Sequence, residues 1–459
     1  MVNLDEKKAA LLVSTSASFM TPFMASTVNI ALPSIGRAFS LDAISLSWVA
    51  TSYLLAAAMF LVPFGRLADI HGRKRAFISG TILYTLVSLL SAFAPNGVVL
   101  ILLRGLQGVA AAMIFGTGVA ILTSVYPASE RGRVLGINVA AVYLGLSIGP
   151  FAGGFLTQYA GWRSIFVANA MIGGFIIPFV LGRLRGEWAE ARGEPFDIPG
   201  SILYSLSLVT VMYGFSILPT MRGVWMISAG ILTFAAFVMW ELKSSNPLID
   251  ISLFRHNVVF AFSNVAALIN YSATSAVTFL LSIYLQYIRD LSPQVAGFVL
   301  VSQPVMMAAF SPLAGRLSDR IEPRIVASLG MTFIVVGLGL FAYFGGESPL
   351  PLVVINLVFL GFGFALFSSP NTNAIMSSVE KRLYGVASAT LATMRLTGQM
   401  LSMGIVVLIL AVTMGRVAIT PEHYADFLQS MRAAFIIFTA LCGLGIFASL
   451  ARGKVRTNV

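Results

Sequence analysis

The sequence is short of charge, shortest of acids, and nearly empty of cysteine and histidine. Only 10% of its 459 residues are charged, where a soluble domain carries about a quarter. A soluble fold of this size needs polar groups to cover its surface, so a water-soluble globule is excluded. A single cysteine, Cys442, cannot form an internal disulfide. The three histidines, His71, His256 and His423, fall between apolar blocks without metal-ligand spacing. No Ser-His-Asp or Cys-His pattern stands out, and no GxxxxGK[ST] loop is present. An enzyme, a resident cofactor or metal, and ATP-driven transport by this chain alone are therefore not expected.

What fills the space is apolar. Residues of that type make up 58%, and the mean hydropathy is +0.89. A membrane helix needs about 20 mostly apolar residues to cross roughly 30 Å of hydrocarbon. Breaks at charged residues, Pro, Gly and Asn predict fourteen spans. Six lie near 9–31, 46–64, 76–94, 98–124, 134–158 and 164–183. A middle pair follows at 198–218 and 223–242, unless that stretch is re-entrant. The last six lie near 258–285, 294–314, 324–344, 350–372, 384–414 and 430–450.

The 29 basic residues outnumber the 18 acids, giving +11. With the N-terminus inside and an even count of spans, Arg37, Arg163, Arg222, Arg289, Arg416 and Arg432 lie outside. Arg104 and Arg395 fall within spans, and the other 21 basic residues lie on the cytoplasmic side. That is the asymmetry the positive-inside rule requires. The excess reads as topology and contact with anionic lipid, not as a nucleic-acid surface. The N-terminal apolar run reaches Asn29 and Pro33 without a clear cleavage site and reads as a retained span. Short loops suit an inner (plasma) membrane of a prokaryote, with both termini cytoplasmic.

The loop after span 2 runs Gly65-Arg66-Leu67-Ala68-Asp69-Ile70-His71-Gly72-Arg73-Lys74-Arg75. An echo, Gly315-Arg316-Leu317-Ser318-Asp319-Arg320, follows span 10. The repeat predicts two related six-span halves, 1–190 and 255–459, with an inserted pair in 191–254. Duplicated halves around a central cavity are a transporter architecture. In span 5, Gly145, Gly149 and Gly153 share one helix face, which lets helices pack backbone to backbone. Pro150 removes a backbone bond and permits a bend. Ordinary tight packing and a bendable interface between the halves both fit. Arg104 lies about 9 Å deep at 1.5 Å per residue, within snorkelling reach of the outer headgroups. Arg395 lies near mid-bilayer, where a charge costs at least ~2.5–3.5 kcal/mol. It needs a polar cavity or backbone carbonyls as partners.

The eleven-residue loop resembles the signature loop of the major facilitator superfamily. Leu100-x-x-x-Arg104-x-x-Gln107-Gly108 is similar to that superfamily's span-4 signature. Gly145 to Gly154, with Pro150, looks like the GxxxGPxxGG motif of its antiporters. Trp162-Arg163-x-Ile165-Phe166-x-x-Asn169, Phe196-Asp197-x-x-Gly200 and Glu241…Pro247-Leu248-Ile249-Asp250 resemble its fourteen-span drug:proton antiporter family. The resemblance spans essentially the whole chain. It implies an all-α polytopic fold with fourteen transmembrane helices: two pseudo-symmetric six-helix bundles plus an inserted pair. It implies multidrug-type export of small amphipathic molecules by alternating access, coupled to protons. It makes Gly65, Asp69, Gly72 and Arg73, with Asp319 and Arg320, a latch that holds the halves together on the cytoplasmic face. It places Arg104, with Gln107 beside it, in proton transfer or substrate contact; Arg395 joins them as a relay candidate on its mid-bilayer depth alone.

One departure matters. The family's span 1 carries an aspartate and, two residues on, a threonine. Here Met24 and Ser26 occupy those positions. All 18 acids lie in loops or at span ends, with Asp69, Asp197 and Glu241 nearest the hydrocarbon. An embedded carboxylate is the usual proton carrier and cation counter-ion. Its absence favours a neutral, zwitterionic or anionic substrate. Proton coupling then runs through Asp69 and Arg104, through the substrate, or not at all. Polar cavity candidates are Asn29, Tyr53, Gln107, Asn138, Tyr143, Asn264, Asn270, Tyr284, Gln303, Asn371 and Gln399. Met24, Phe115, Phe279, Met306 and Met394 are apolar candidates, Met being adaptable. The alternatives are an exporter or facilitator of a specific metabolite, lipid or organic anion, and a non-transporting membrane sensor. A monomer is expected.

Overall fold

A computed structural model describes residues 4–184, 186–244, 247–249, 251–380 and 383–453. Of the basic residues assigned to the cytoplasmic side, Arg185, Lys381, Arg382, Lys454 and Arg456 lie outside this set, as does Asp250. Among the described residues the fold is helical throughout, because a backbone in hydrocarbon must satisfy its own polar groups. Fourteen helices are long and apolar enough to cross a membrane. Spans 1–6 are Lys7–Phe39, Ala43–His71, Arg73–Ala92, Gly97–Val125, Val134–Ala160 and Arg163–Arg183. Spans 7 and 8 are Ile198–Ser216 and Met221–Glu241. Spans 9–14 are Val258–Ile288, Pro293–Ser318, Pro323–Phe341, Leu350–Ser377, Tyr384–Thr413 and Pro421–Ala451. Fourteen crossings put both chain ends on one side, called here the terminal face; the other is the far face.

Polar residues in the loops start many of these helices. Asp42, Asn96, Asp197, Thr220, Asn257 and Ser292 each accept a backbone amide three residues on, which satisfies an orphan N–H of the first turn. Spans 7 and 8 are complete crossings of 19 and 21 residues, so the re-entrant reading of 198–242 does not hold.

Span 1 runs eight residues beyond its expected end at 31. Pro33 has no N–H, which frees the carbonyl of Asn29 four residues earlier. Ser282 Oγ donates to that carbonyl at 2.6 Å. The freed group has a partner, so the helix continues. Span 9 is interrupted instead. Its first segment ends at Thr274, a second covers Val277–Ile283, and a π-helical turn covers Tyr284–Ile288.

The packing has a two-fold pattern. Span 1 packs on spans 4, 5 and 6, and span 9 packs on spans 12, 13 and 14. Span 4 holds spans 2 and 3 while span 12 holds spans 10 and 11, and the pair 3–6 matches the pair 11–14. The halves meet along two equivalent seams, span 2 on span 13 and span 5 on span 10, with span 1 against span 9 between them. The inserted pair breaks the symmetry. Spans 7 and 8 pack on each other, and span 7 lies over spans 2 and 13. Tyr204 Oη donates to the Ala58 carbonyl at 3.2 Å, and Tyr204 and Met212 share one apolar core with Leu55, Leu61, Leu396 and Met400. One seam is thereby covered and the other is not.

Candidate functional site

At the terminal face, Gly72 takes φ +122° and turns span 2 into span 3, a conformation that favours glycine. Arg73 then collects the local acids. Its Nε donates to Asp69 Oδ1 at 2.7 Å, and its Nη1 to Ser124 Oγ at 2.6 Å. Nη1 and Nη2 grip both oxygens of Glu190 at 2.8 and 3.1 Å, a fork-on-fork geometry. The segment after span 6 folds back over the loop. Arg73 N–H donates to the Trp188 carbonyl, Ala191 N–H to the Asp69 carbonyl, and Lys74 N–H to Glu187. Arg66 pairs with Glu194 at 2.5 Å. The Asp69–Arg73 pair thus ties spans 2, 3 and 4 to the segment after span 6, all within the first half, rather than reaching the second half. In the echo, Asn373 Nδ2 donates to Ser318 Oγ at 2.9 Å and to Asp319 Oδ1 at 3.4 Å. A side chain at Gly65 would meet no other group within 4 Å.

Arg104 is fully buried among spans 2, 3, 4 and 6. Its guanidinium lies 4.5 Å over the Tyr53 ring, donates to the Val49 carbonyl at 3.1 Å, and bonds Gln107 Oε1. Gln107 passes the chain on to Ser88 at 2.7 Å, which also accepts from Asn169 at 3.1 Å. Arg104 does not snorkel; every link is inside the first half.

The glycine stripe of span 5 divides by function. A Cβ on Gly145, Gly149 or Gly153 would stand 2.5–2.8 Å from span 1, at Phe19, Ser26 and Thr27. That face packs within the first half, as in the tight-packing reading. The seam belongs to Gly154, whose Cβ would stand 2.5 Å from the Pro293 carbonyl, and to Pro150, whose carbonyl abuts Gly297.

Near the far face the halves are bonded through span 1. Besides Ser282 on Asn29, Gln286 Nε2 donates to the Ile30 carbonyl at 2.9 Å and Tyr287 Oη to that of Pro33 at 3.1 Å. Ala43 N–H donates to the Val417 carbonyl at 2.9 Å. Tyr159 Oη donates to Gln294 Oε1 at 3.1 Å. These bonds hold the two halves together near the far face.

At mid-depth a small group from both halves comes together. Tyr143 of span 5 shares a hydrogen bond of 3.1 Å with Ser368 of span 12. Arg395 of span 13 stands 5.1 Å over the Tyr271 ring of span 9. Tyr143 and Tyr271 are the ionisable side chains that act on its charge, and its Nε is buried without a partner. Of the expected cavity residues, Asn29, Tyr143, Gln303, Arg395 and Gln399 are half-buried. Met24, Tyr53, Gln107, Asn138, Asn264, Asn270, Tyr284 and Asn371 are buried. Met24 is completely enclosed. Tyr284 bonds the Gly345 carbonyl and Asn371 that of Ser263.

Sequence reasoning missed several contributors. Glu187, Glu190 and Glu194 went unread as partners of the basic loop, although three acids within eight residues opposite a run of basic residues were the available signal. Tyr271, Ser282, Ser368 and Gln286 were also missed; the i, i+4 spacing of Ser282 and Gln286 was the available signal. Arg452 counted only toward charge asymmetry. It is buried, and it bonds Asn371 Oδ1 at 2.9 Å, Ser263 Oγ at 3.2 Å and Ser449 Oγ at 2.7 Å. Burial pushes its guanidinium down to about 10.

Comparison with known proteins adds a lineage to this geometry. The family model described as Major Facilitator Superfamily matches residues 15–267 and again 263–458. The riboflavin transporter RibZ of Clostridioides difficile is 31% identical over 392 residues, covering 85% of this chain and 86% of that protein. The multidrug resistance protein Stp of Mycobacterium tuberculosis is 32% identical over 418 residues, covering 89% of this chain and 77% of that protein. The cephamycin export protein CmcT of Amycolatopsis lactamdurans is 30% identical over 439 residues, covering 91% and 88%.

Proposed function

The chain belongs to the major facilitator superfamily, and from that premise we propose that it exports small amphipathic molecules by alternating access between its two halves. It is a multi-pass membrane transporter rather than an enzyme. The observation that carries the export reading is the pair of equivalent seams around a mid-depth polar group, with the halves held together near the far face by side chains bonded to span 1. Relatives named for multidrug resistance and cephamycin export support it. A relative named a riboflavin transporter supports a second reading, a transporter for one metabolite. The boundaries 1–190, 191–254 and 255–459 are part of the proposal, as are a monomeric state, cytoplasmic termini and an inner (plasma) membrane.

We further assign anionic lipid to the groove between spans 1 and 6. A crevice of about 510 Å³ lined by Phe19, Met171 and Phe175 has beside it a second, of about 110 Å³, bounded by Lys8 and Arg183. Apolar walls suit an acyl chain and two cations suit its headgroup.

Proton coupling completes the proposal. Asp69 sits in the basic loop and Asp197 and Glu241 sit buried at the base of the inserted pair. Purified protein in liposomes is expected to drive a dye against its gradient only under an imposed pH difference. Movement down the dye gradient only, unchanged by an imposed pH difference, would remove the coupling and keep the transporter; exchange of no amphiphile from a broad panel would remove export.

A further inference from the structure

We propose that Arg395, with Tyr143, Tyr271 and Ser368, binds the anionic group of the substrate, a carboxylate or similar oxyanion on a flat ring system. This rests on the export reading and names its substrate class.

Depth is the first argument. At 1.5 Å per residue the four residues lie about 13–20 Å from the terminal-face ends of spans 5, 9, 12 and 13, near the middle of the membrane. The group is therefore central in height, and it draws on both halves.

Charge is the second. A guanidinium stays protonated in proteins, and at this depth it needs compensation. Two other arginines, Arg104 and Arg452, are fully buried and have their partners from the fold. Arg104 is spent on Val49, Gln107 and the Tyr53 ring. Arg452 is spent on Asn371, Ser263 and Ser449. Arg395 differs. As with Arg104, no carboxylate lies within ion-pair distance of it among the described residues; what sets it apart is that two tyrosines face it and its Nε is buried and unpartnered. A cation held without a counter-ion attracts substrates that bring one and repels cations.

Shape is the third. A guanidinium fork matches a carboxylate bidentately, and its plane stacks on aromatic faces. One face of Arg395 already lies over Tyr271. A conjugated ring attached to the anion would stack on a guanidinium plane in the same way. The Tyr143–Ser368 bond joins the first half to the second at the same level. Separating the halves breaks it, so site closure and substrate contact are linked.

Two xanthene dyes of similar skeleton and opposite charge test this: carboxyfluorescein, an anion, and rhodamine 123, a cation. Exchange is measured in proteoliposomes, and equilibrium binding by anisotropy on the purified full chain. The wild type is expected to exchange carboxyfluorescein about tenfold faster than rhodamine 123, and Arg395→Gln to erase that ratio. Arg395→Lys keeps the charge but not the fork and is expected to fall between. A monodisperse Arg395→Gln protein that keeps the wild-type ratio overturns the proposal, and so does a wild type that prefers rhodamine 123. If Arg395→Gln does not fold, the Lys variant decides: an unchanged carboxyfluorescein affinity and rate overturn the proposal. If neither dye crosses, the export reading is left to the broad panel of amphiphiles. The site is then judged by binding: affinity for carboxyfluorescein about tenfold weaker in the variant sustains it, and no binding or equal binding overturns it.

Discussion

The partners of each arginine decide what it does. Arg73 has two carboxylates, and exposure separates them. Glu190 is 66% exposed and Asp69 33%. The Glu190 pair is open to water and screened, so it is worth about 0.2–1 kcal/mol. A double-mutant cycle read by thermal unfolding is expected to show weaker coupling of Arg73 to Glu190 than to Asp69; equal coupling would contradict the exposure argument. Arg104 is the opposite case, with no water to fall back on. Gln107→Ala leaves Arg104 and Ser88 short of a partner, and an orphaned buried polar group costs about 1–3 kcal/mol. Its unfolding midpoint in detergent is expected to fall. Gln107→Glu keeps an acceptor at that place and is expected to hold the midpoint. Cys442 is buried, so cysteine probes can be introduced against a quiet background.

Helices here are placed by what their smallest and least regular residues allow. Gly149 sits under Ser26 within one half, whereas Gly154 and Gly297 sit on the seam between halves. Overpacking a tight contact costs about 1–3 kcal/mol, but the consequence depends on which contact it is. Gly149→Leu is expected to lower the yield of folded protein. Gly154→Leu is expected to fold and to wedge the seam, raising maleimide labelling of a cysteine placed at Ala296, which is fully buried. Equal labelling with and without the wedge would count against that seam as the moving surface. Span 1 makes the same point in reverse. Pro33 reads locally as a helix end, and the helix continues because span 9 supplies Ser282, Gln286 and Tyr287 to the carbonyls around it.

At the scale of the whole molecule, symmetry and its violation set the motion. Under the alternating-access proposal the two equivalent seams are where the halves would rock, and the inserted pair covers one of them. Joining cysteines at Tyr159 and Gln294, whose side-chain tips meet across the uncovered seam at 3.1 Å, with a disulfide-containing bifunctional thiol linker is expected to stop exchange until a reductant cleaves the linker. Unimpeded exchange in the linked protein would sink alternating access at this face.

Much of this was legible in the chain itself. Hydrocarbon thickness forces apolar blocks of fixed length, and charge cannot enter lipid cheaply, so fourteen spans and a one-sided basic excess are written residue by residue. The repeat of the Gly65–Arg75 loop at Gly315–Arg320 announced two halves for the same local reason. Which polar side chain faces which neighbour was not written there. Asn29 gives its carbonyl to a residue 253 positions away, Met24 is packed solid at the place of the family's aspartate, and Arg395 stands against two tyrosines while Arg104 vanishes into its own bundle. Those outcomes depend on contacts between segments far apart in sequence, and no local pattern encodes them. Solvation and length were fixed by the sequence alone; partnership, and with it a central Arg395 whose Nε is buried without a partner, was decided only by the tertiary fold.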